Sequence, residues 1–155
     1  MKTVSLMFGG NIGDTENHFR IAAEMLRANG FSILAQSRIF ITPPVDCEPG
    51  TPDFLNAALL GVWNNTAGEL LALTQQIERA SGRPAKHSSR ETRTLDIDII
   101  TFGDEIISTP DLTIPHPRAQ QRLFVLEPLA EIAPQLVFPD SGKNVIQLLQ
   151  QLRSS

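Results

Sequence analysis

The sequence predicts an α+β fold whose elements follow one another in the order β-α-β-β-α-β. Every second residue is apolar over 4–8 and again over 95–99, which is the period of a half-buried strand. Apolar residues recur instead at helical spacing over 19–26 and 70–77. Glycine, proline and asparagine stand between these segments, where the chain has to turn.

The first strand carries Val4, Leu6 and Phe8, and we interpret the glycines at 9, 10 and 13 as a turn that ends it. Asp14 or Thr15 can cap the helix that follows, which Gly30 ends. The apolar face of this helix consists of Phe19, Ala22, Ala23 and Leu26.

A β-rich segment over 31–41 follows and is ended by two prolines. The apolar run over 54–63 is ambiguous between strand and helix, and we interpret it as a strand because Asn64-Asn65 ends it. Thr66-Ala-Gly-Glu69 is a capping box, so a second helix begins there and ends at Gly82. The last strand of the core is 94–99.

This order of elements is the ferredoxin-like arrangement, in which helices cover an antiparallel sheet. The C-terminal additions to the core are a short strand at 106–107, a helical piece between Pro128 and Pro134, and a helix that Asn144 opens. With 155 residues, the chain is expected to form a single domain over 1–155.

Charge, cysteine content and the length of apolar runs argue against several classes of partner and site. The formal net charge is −4, which argues against nucleic acid or an anionic membrane as a partner. Cys47 is the only cysteine, so neither a disulfide framework nor a cysteine-rich zinc site is expected. No apolar run is long enough for a signal peptide or a membrane span, and we expect a cytoplasmic protein that is a monomer.

The strand over 94–99 carries two aspartates, Asp96 and Asp98. Alternation places them on one face with Cα atoms about 6.6 Å apart. Aspartate is rare in strands, and two like charges this close repel each other. The pair is therefore unfavourable for folding, which suggests that it has a function. Surface aspartates are common, and a solvated strand face is the plain alternative.

Two cationic clusters favour a chemical role for the pair. Over 83–93 lie four of the 13 Lys and Arg residues, opposed only by Glu91, and 115–122 adds His116, Arg118 and Arg122. Cations beside paired carboxylates suit a polyphosphate that arrives with Mg²⁺. Scattered histidines argue against zinc, and the missing G-x-x-x-x-G-K-[ST] loop excludes a P-loop kinase.

Arg93-Thr-Leu-Asp-Ile-Asp-Ile-Ile resembles the signature of the 6-hydroxymethyl-7,8-dihydropterin pyrophosphokinase family. Further matches run along nearly the whole chain: Gly10-Asn11, Thr42-Pro43-Pro44, Asp53-Phe-Leu-Asn-Ala-Ala58, Gln75-Gln-Ile-Glu78, Gly82-Arg83, Ile114-Pro-His116 and Glu131-Ile-Ala-Pro134. The resemblance implies transfer of pyrophosphate from ATP to the hydroxymethyl group of the pterin, with release of AMP, in folate biosynthesis.

The resemblance also implies roles for individual residues. Asp96 and Asp98 would hold two Mg²⁺ ions, and Arg83 and Arg93 would be catalytic, neutralising charge on the phosphates. The remaining matches to the ATP site are Gln75, Glu78, Ile99, Thr113, His116 and Arg122. The matches to the pterin pocket are Thr42, Pro43, Val45, Phe54, Asn56 and Phe124. A flat pterin ring suits a slot between Phe54 and Phe124, with Asn56 as donor and acceptor at its polar edge.

The segment before the signature arginine departs from the family. Many relatives have Trp-Gly-Pro where this chain has Arg90-Glu91-Thr92. From its polar composition we expect 84–92 to act as a mobile lid. The sequence also allows two other function classes: a catalytically inactive relative that binds nucleotide or pterin, and a structural domain whose acidic pair is only solvated.

Overall fold

The computed structural model describes residues 1–44, 49–81 and 94–155 of the chain. Its strands are β1 (Lys2–Gly10), β2 (Ser32–Gln36), β3 (Phe40–Thr42), β4 (Phe54–Trp63), β5 (Asp96–Phe102), β6 (Ile107–Ser108) and β7 (Thr113–Ile114). Its helices are α1 (Thr15–Ala28), α2 (Ala67–Ala80), α3 (Leu123–Ile132) and α4 (Val145–Arg153), with a 3₁₀ turn over Ala119–Gln121.

The main sheet has the strand order β2-β4-β1-β5, and β3 pairs with β4 on the same side as β2. All these pairs are antiparallel. With β2 and β3 counted as one interrupted strand, this is the predicted ferredoxin-like core. β6 and β7 form a separate two-stranded sheet, so the added strand predicted at 106–107 has a partner in β7.

The β-rich segment over 31–41 was predicted as one piece, but it is two strands. The N–H of Ser37 donates to the carbonyl of Ala58 at 2.9 Å, as in a regular ladder. The return bond, however, goes from the N–H of Ala58 to the hydroxyl of Ser37 at 2.9 Å. Because the side chain replaces the main-chain carbonyl as acceptor, the ladder is interrupted there, and pairing resumes at Phe40 opposite Asn56.

The predicted helix starts are confirmed. The side chain of Asp14 accepts from the N–H of Asn17 at the start of α1. Thr66 and Glu69 form the expected capping box at α2, and Asn144 and Gln147 form a second one at α4. Each cap satisfies backbone N–H groups that the first helical turn leaves without a partner.

Two predictions about breaks in the chain are wrong. Gly9 and Gly10 were interpreted as part of a turn, but both belong to β1, and of these glycines only Gly13 has a positive φ, of 74°. Pro128 was expected to precede a helical piece, but it lies inside α3, which begins at Leu123. The helix continues through Pro128 with one backbone hydrogen bond fewer, and Pro128 is buried there together with Val125, Leu126 and Leu129 of the same helix.

The sheet separates two apolar clusters. α1 and α2 cover one face, and their side chains pack there against Leu6, Phe8, Leu59, Ile97 and Ile99. α3 and α4 cover the other face, over Met7, Ala58 and Ile100. None of the helices in the described part of the chain is both long and apolar enough to span a bilayer.

Candidate active site

Asp96 and Asp98 lie on the sheet face that α3 and α4 cover further along the strands. The intervening Ile97 and the following Ile99 are each 5% exposed and belong to the cluster under α1 and α2. The carboxylates therefore point to the opposite face, where Asp96 is half-buried and Asp98 is exposed. This confirms the prediction that alternation places both aspartates on one face.

The register of the sheet brings Asp96 level with Asn56. Gly9 of β1 pairs with Asn56 of β4 on one side and with Asp96 of β5 on the other. Phe40 of β3 continues the row beyond Asn56. Asn56 and Asp96 are thus two strands apart, or about 10 Å, and a glycine is the residue between them.

Asn56 is a buried polar side chain that a second polar side chain holds in place. It is 6% exposed, and its Nδ2 donates to the hydroxyl of Thr42 at 3.1 Å. The bond fixes which end of the amide faces the site. A β-carbon built at Gly9 would lie 3.6 Å from the Oδ1 of Asn56, so this oxygen borders the space above Gly9.

The two phenylalanines predicted to stack on a ligand lie at different elements. Phe54 is two residues before Asn56 in β4, so both side chains leave the same face. Phe124 is in the first turn of α3, the helix that covers this face, and is 36% exposed. The Cζ of Arg122 lies 5.3 Å from the centroid of the Phe124 ring, which places one predicted phosphate ligand against one predicted pterin contact.

The main chain of His116 is hydrogen-bonded to β5. Its N–H donates to the carbonyl of Ile100 at 2.9 Å, and its Nδ1 accepts from the N–H of Arg118 at 3.3 Å. The neutral ring therefore carries its proton on Nε2. Burial lowers the pKa of His116 below its ordinary value of 6.5, and the cationic Arg122 and Arg118 lower it further, while the anionic Asp98 opposes them.

Glu78 reaches the edge of the sheet from α2. Its Oε2 accepts a hydrogen bond from the N–H of Ile97 at 2.7 Å, between the two aspartates. Gln75, one turn earlier, is exposed. Thr113, in β7, is also exposed. The side chain of Ile99 is in the core, so any contact it makes with a ligand has to involve its main chain.

Three predicted site residues, Arg83, Arg93 and Val45, lie outside the described residues, as does the predicted lid over 84–92. Pro43 is described and exposed.

Sequence reasoning missed two features of the site. Gly9 was interpreted as part of a turn, and only the pairing of β1 with two other strands shows its position between Asn56 and Asp96. Asn11 was noted as a family match without a role. Its side chain is 5% exposed and donates to the carbonyl of Pro52 at 3.3 Å, which joins the end of β1 to the segment before β4. The sequence signal that could have drawn attention to it is an asparagine directly after the strand, since asparagine side chains often hydrogen-bond to the main chain at such positions.

The donor set of the acidic pair fits Mg²⁺. Within the described residues, no group of three or more His, Cys, Asp or Glu side chains is arranged to hold a metal. Mg²⁺ needs less than that, because it binds through one or two carboxylates and completes its octahedron with phosphate oxygens and water. Two hard carboxylate oxygens on a partly open face match this requirement.

Comparison with known proteins decides the family. The family described as 7,8-dihydro-6-hydroxymethylpterin-pyrophosphokinase matches residues 5–134. The chain belongs to this family. A Bacillus subtilis 2-amino-4-hydroxy-6-hydroxymethyldihydropteridine pyrophosphokinase is 42% identical over 132 residues, which are 84% of this chain and 78% of that protein. A Synechocystis enzyme of the same name is 39% identical over 145 residues, 93% of this chain and 73% of that protein.

The family is also found as part of longer proteins. An Arabidopsis thaliana folate synthesis bifunctional protein is 36% identical over 129 residues, which are 26% of its length. A crystal structure of wild-type Plasmodium falciparum HPPK-DHPS with pteroate superposes with a TM-score of 0.76 at 14% identity. It covers 99% of this chain, which spans 42% of that longer chain, and the likeness concerns the fold alone.

Family membership establishes the chemistry expected from the sequence. The chain is an ATP-dependent pyrophosphokinase of folate synthesis. ATP is the co-substrate, and the acceptor is the hydroxymethyl group of 6-hydroxymethyl-7,8-dihydropterin.

Proposed function

We propose that the row Asn56–Gly9–Asp96 is the line along which the two substrates meet. The observation that supports it is the strand register, which places a buried amide and an acidic pair on one face with only a glycine between them. A pterin that is hydrogen-bonded to Asn56 would extend its hydroxymethyl arm over Gly9 towards Asp96. The oxygen that attacks the β-phosphorus would then approach the carboxylates.

Asp96 and Asp98 are the proposed ligands of two Mg²⁺ ions. Mg²⁺ held by these carboxylates would supply positive charge against both the triphosphate and the acidic pair, which would favour approach of an oxygen nucleophile to the β-phosphorus. The need for this neutralisation explains why two carboxylates stand two residues apart on a strand, where they otherwise repel each other.

His116, Arg122, Arg83 and Arg93 are the proposed ligands of the phosphates. The neutral His116 would donate from Nε2 while Arg118 holds Nδ1, so its contribution is a directed hydrogen bond and not a second positive charge. Arg122 would add a charge-assisted bond beside Phe124. The catalytic role of Arg83 and Arg93 is proposed on similarity to the family.

The nucleoside of ATP is proposed to lie along the outer edge of β5. Glu78 contacts this edge from α2, where Gln75 lies one turn earlier, and β7, which contains Thr113, packs against β5. Because the side chain of Ile99 is in the core, its contact with the nucleotide would come from its main-chain groups. Such an edge offers hydrogen bonds in the plane of a purine ring.

The pterin is proposed to lie between Phe54 and Phe124 with its polar edge on Asn56. Thr42 orients the Asn56 amide, and the segment that contains Pro43 and Val45 would close the pocket. Stacking between aromatic faces provides most of the contact area, while Asn56 selects the donor and acceptor pattern.

The reaction needs no strong general base. Phosphoryl transfer depends mainly on alignment of the nucleophile and on stabilisation of charge. The residues on this face provide both, since Asn56 and the two rings fix the pterin while the cations and the acidic pair fix the phosphates.

Separate substitutions test whether the face has two subsites. Asn56→Ala should weaken pterin binding and leave binding of a nonhydrolysable ATP analogue with Mg²⁺ within about twofold. Asp98→Asn should weaken the Mg²⁺-dependent binding of the analogue. Asp104→Asn is the matched control, because Asp104 is an exposed aspartate just beyond the other end of β5, with a 92% exposed side chain. If Asn56→Ala weakens both ligands equally, or neither, the assignment of subsites is wrong.

Cytoplasmic location and a monomeric state remain predictions, as does the absence of nucleic acid among the partners. Light scattering coupled to size-exclusion chromatography tests the monomer.

A further inference from the structure

Gly9 is the one residue of the row Asn56–Gly9–Asp96 that carries no side chain. It lies inside β1, where glycine is unfavourable by roughly 0.5–1 kcal/mol relative to alanine because it loses more conformational freedom. Three causes can explain a glycine at such a position: a backbone conformation that only glycine adopts, neighbouring protein atoms that leave no room for a side chain, or a ligand that binds close to the backbone.

The backbone does not require glycine at this position. The glycines with positive φ in the described residues are Gly13, Gly30, Gly50, Gly103 and Gly142. Gly9 is not among them, so its conformation is one that residues with a side chain adopt without strain.

The packing of the protein does not require it either. The nearest atoms to a β-carbon built at Gly9 would be Oδ1 of Asn56 at 3.6 Å and the carbonyl oxygen of Leu55 at 3.9 Å, which are ordinary contacts. Gly61 in the neighbouring strand is the opposite case, because a β-carbon there would clash with Cε1 of Phe31.

We propose that Gly9 is a positioning residue for the pterin: its missing side chain keeps open the space through which the hydroxymethyl arm passes from Asn56 to Asp96. This inference rests on the proposed function, which places the two substrates on this face. A β-carbon at position 9 would project into that space and press the arm away from the acidic pair. The site thereby selects for a substrate whose arm crosses β1 close to the backbone.

Gly9→Ala tests the proposal, with Gly68→Ala as control. Gly68 is in α2 and has only the hydroxyl of Thr66 within 4.0 Å of a built β-carbon. Gly9→Ala should melt at the parental temperature or higher, because alanine restricts the unfolded chain. Its Kd for 6-hydroxymethyl-dihydropterin should rise about tenfold or more, while its Kd for the ATP analogue with Mg²⁺ stays within about twofold. Gly68→Ala should leave both constants unchanged.

Three results would overturn the role of Gly9. Unchanged pterin binding in Gly9→Ala, with binding lost in Asn56→Ala, would refute it and leave the proposed function standing. A Gly9→Ala protein that unfolds or melts well below the parent would show that packing requires the glycine. Unchanged pterin binding in Asn56→Ala would remove the proposed pterin site, and the role of Gly9 with it.

Discussion

The carboxylate of Glu78 accepts a hydrogen bond from the backbone N–H of Ile97 at 2.7 Å. Ile97 lies between Asp96 and Asp98, so a side chain from α2 fixes the strand at the midpoint of the acidic pair. β5 is the outer strand of the sheet, where N–H groups on the open side have no neighbouring strand to pair with. Glu78 therefore couples the position of α2 to the position of the proposed metal ligands.

Glu78→Ala should lower the free energy of unfolding by about 1–3 kcal/mol, because a hydrogen bond to a charged acceptor is lost. Glu78→Gln should retain most of that stability, since its amide oxygen can still accept from Ile97. Urea denaturation of both variants measures the difference. Equal stability of Glu78→Ala and the parent would show that the bond to Ile97 does not hold the strand.

Asp96→Ala and Asp98→Ala should each reduce kcat by roughly a thousandfold, since metal ions supply several kcal/mol of transition-state stabilisation. The fold should remain intact or become slightly more stable, because removal of one carboxylate relieves repulsion. Turnover measured against Mg²⁺ concentration gives the effect, and Asp104→Ala is the control at an exposed position. Either variant turning over near the parental rate with the same Mg²⁺ dependence would contradict the role.

Thr42→Val should weaken pterin binding without affecting the nucleotide. The substitution keeps the shape of the side chain but removes the hydroxyl to which Asn56 donates at 3.1 Å. A buried donor left without a partner costs about 1–3 kcal/mol, and the amide is then free to turn away from the ligand. Calorimetric titration should show a loss of about tenfold or more in pterin affinity, with Thr42→Ser close to the parent. If Thr42→Val binds pterin as the parent does, Thr42 does not orient Asn56.

The imidazole of His116 should titrate below pH 6.5 in the ligand-free protein, because burial and two arginines lower its pKa. Below pH 6.5 the unfolded chain then binds a proton more readily than the folded one, so His116 destabilises the fold as the pH falls through this value and contributes nothing above it. NMR titration, with His116→Asn to assign the resonance, measures the midpoint. The variant should also lose less stability than the parent on acidification. A midpoint at or above 6.5 would contradict the burial described for this side chain.

Local signals were sufficient to predict most of the fold. Thr66 and Asn144 start helices because each has a hydrogen-bonding partner three residues later, and these caps form independently of the rest of the chain. The alternation around Asp96 and Asp98 likewise indicated the correct face, because the side-chain period of a strand is fixed. The interruption at Ser37 was not predictable, since it depends on a bond to Ala58 in another strand.

The sequence indicates candidate site residues one by one but not how they are arranged in space. Asn56 and Asp96 were both recognised from their motifs, and nothing local indicates that they are level with each other across Gly9. That relationship depends on the register of three strands that are distant in sequence. Gly9 was interpreted as part of a turn because its local sequence is the same in both cases. A glycine before a loop and a glycine that leaves space for a ligand cannot be distinguished without the strand register.

Product analysis tests the central claim most directly. The protein is incubated with ATP, Mg²⁺ and 6-hydroxymethyl-7,8-dihydropterin, and the nucleotides and pterins are separated and identified by mass spectrometry. Transfer of an intact pyrophosphoryl group predicts AMP and the pterin diphosphate in equal amounts, with both formed roughly a thousandfold more slowly by Asp96→Ala. ADP and a pterin monophosphate as the main products would contradict the account, because they would show attack at the γ-phosphorus instead of the β-phosphorus.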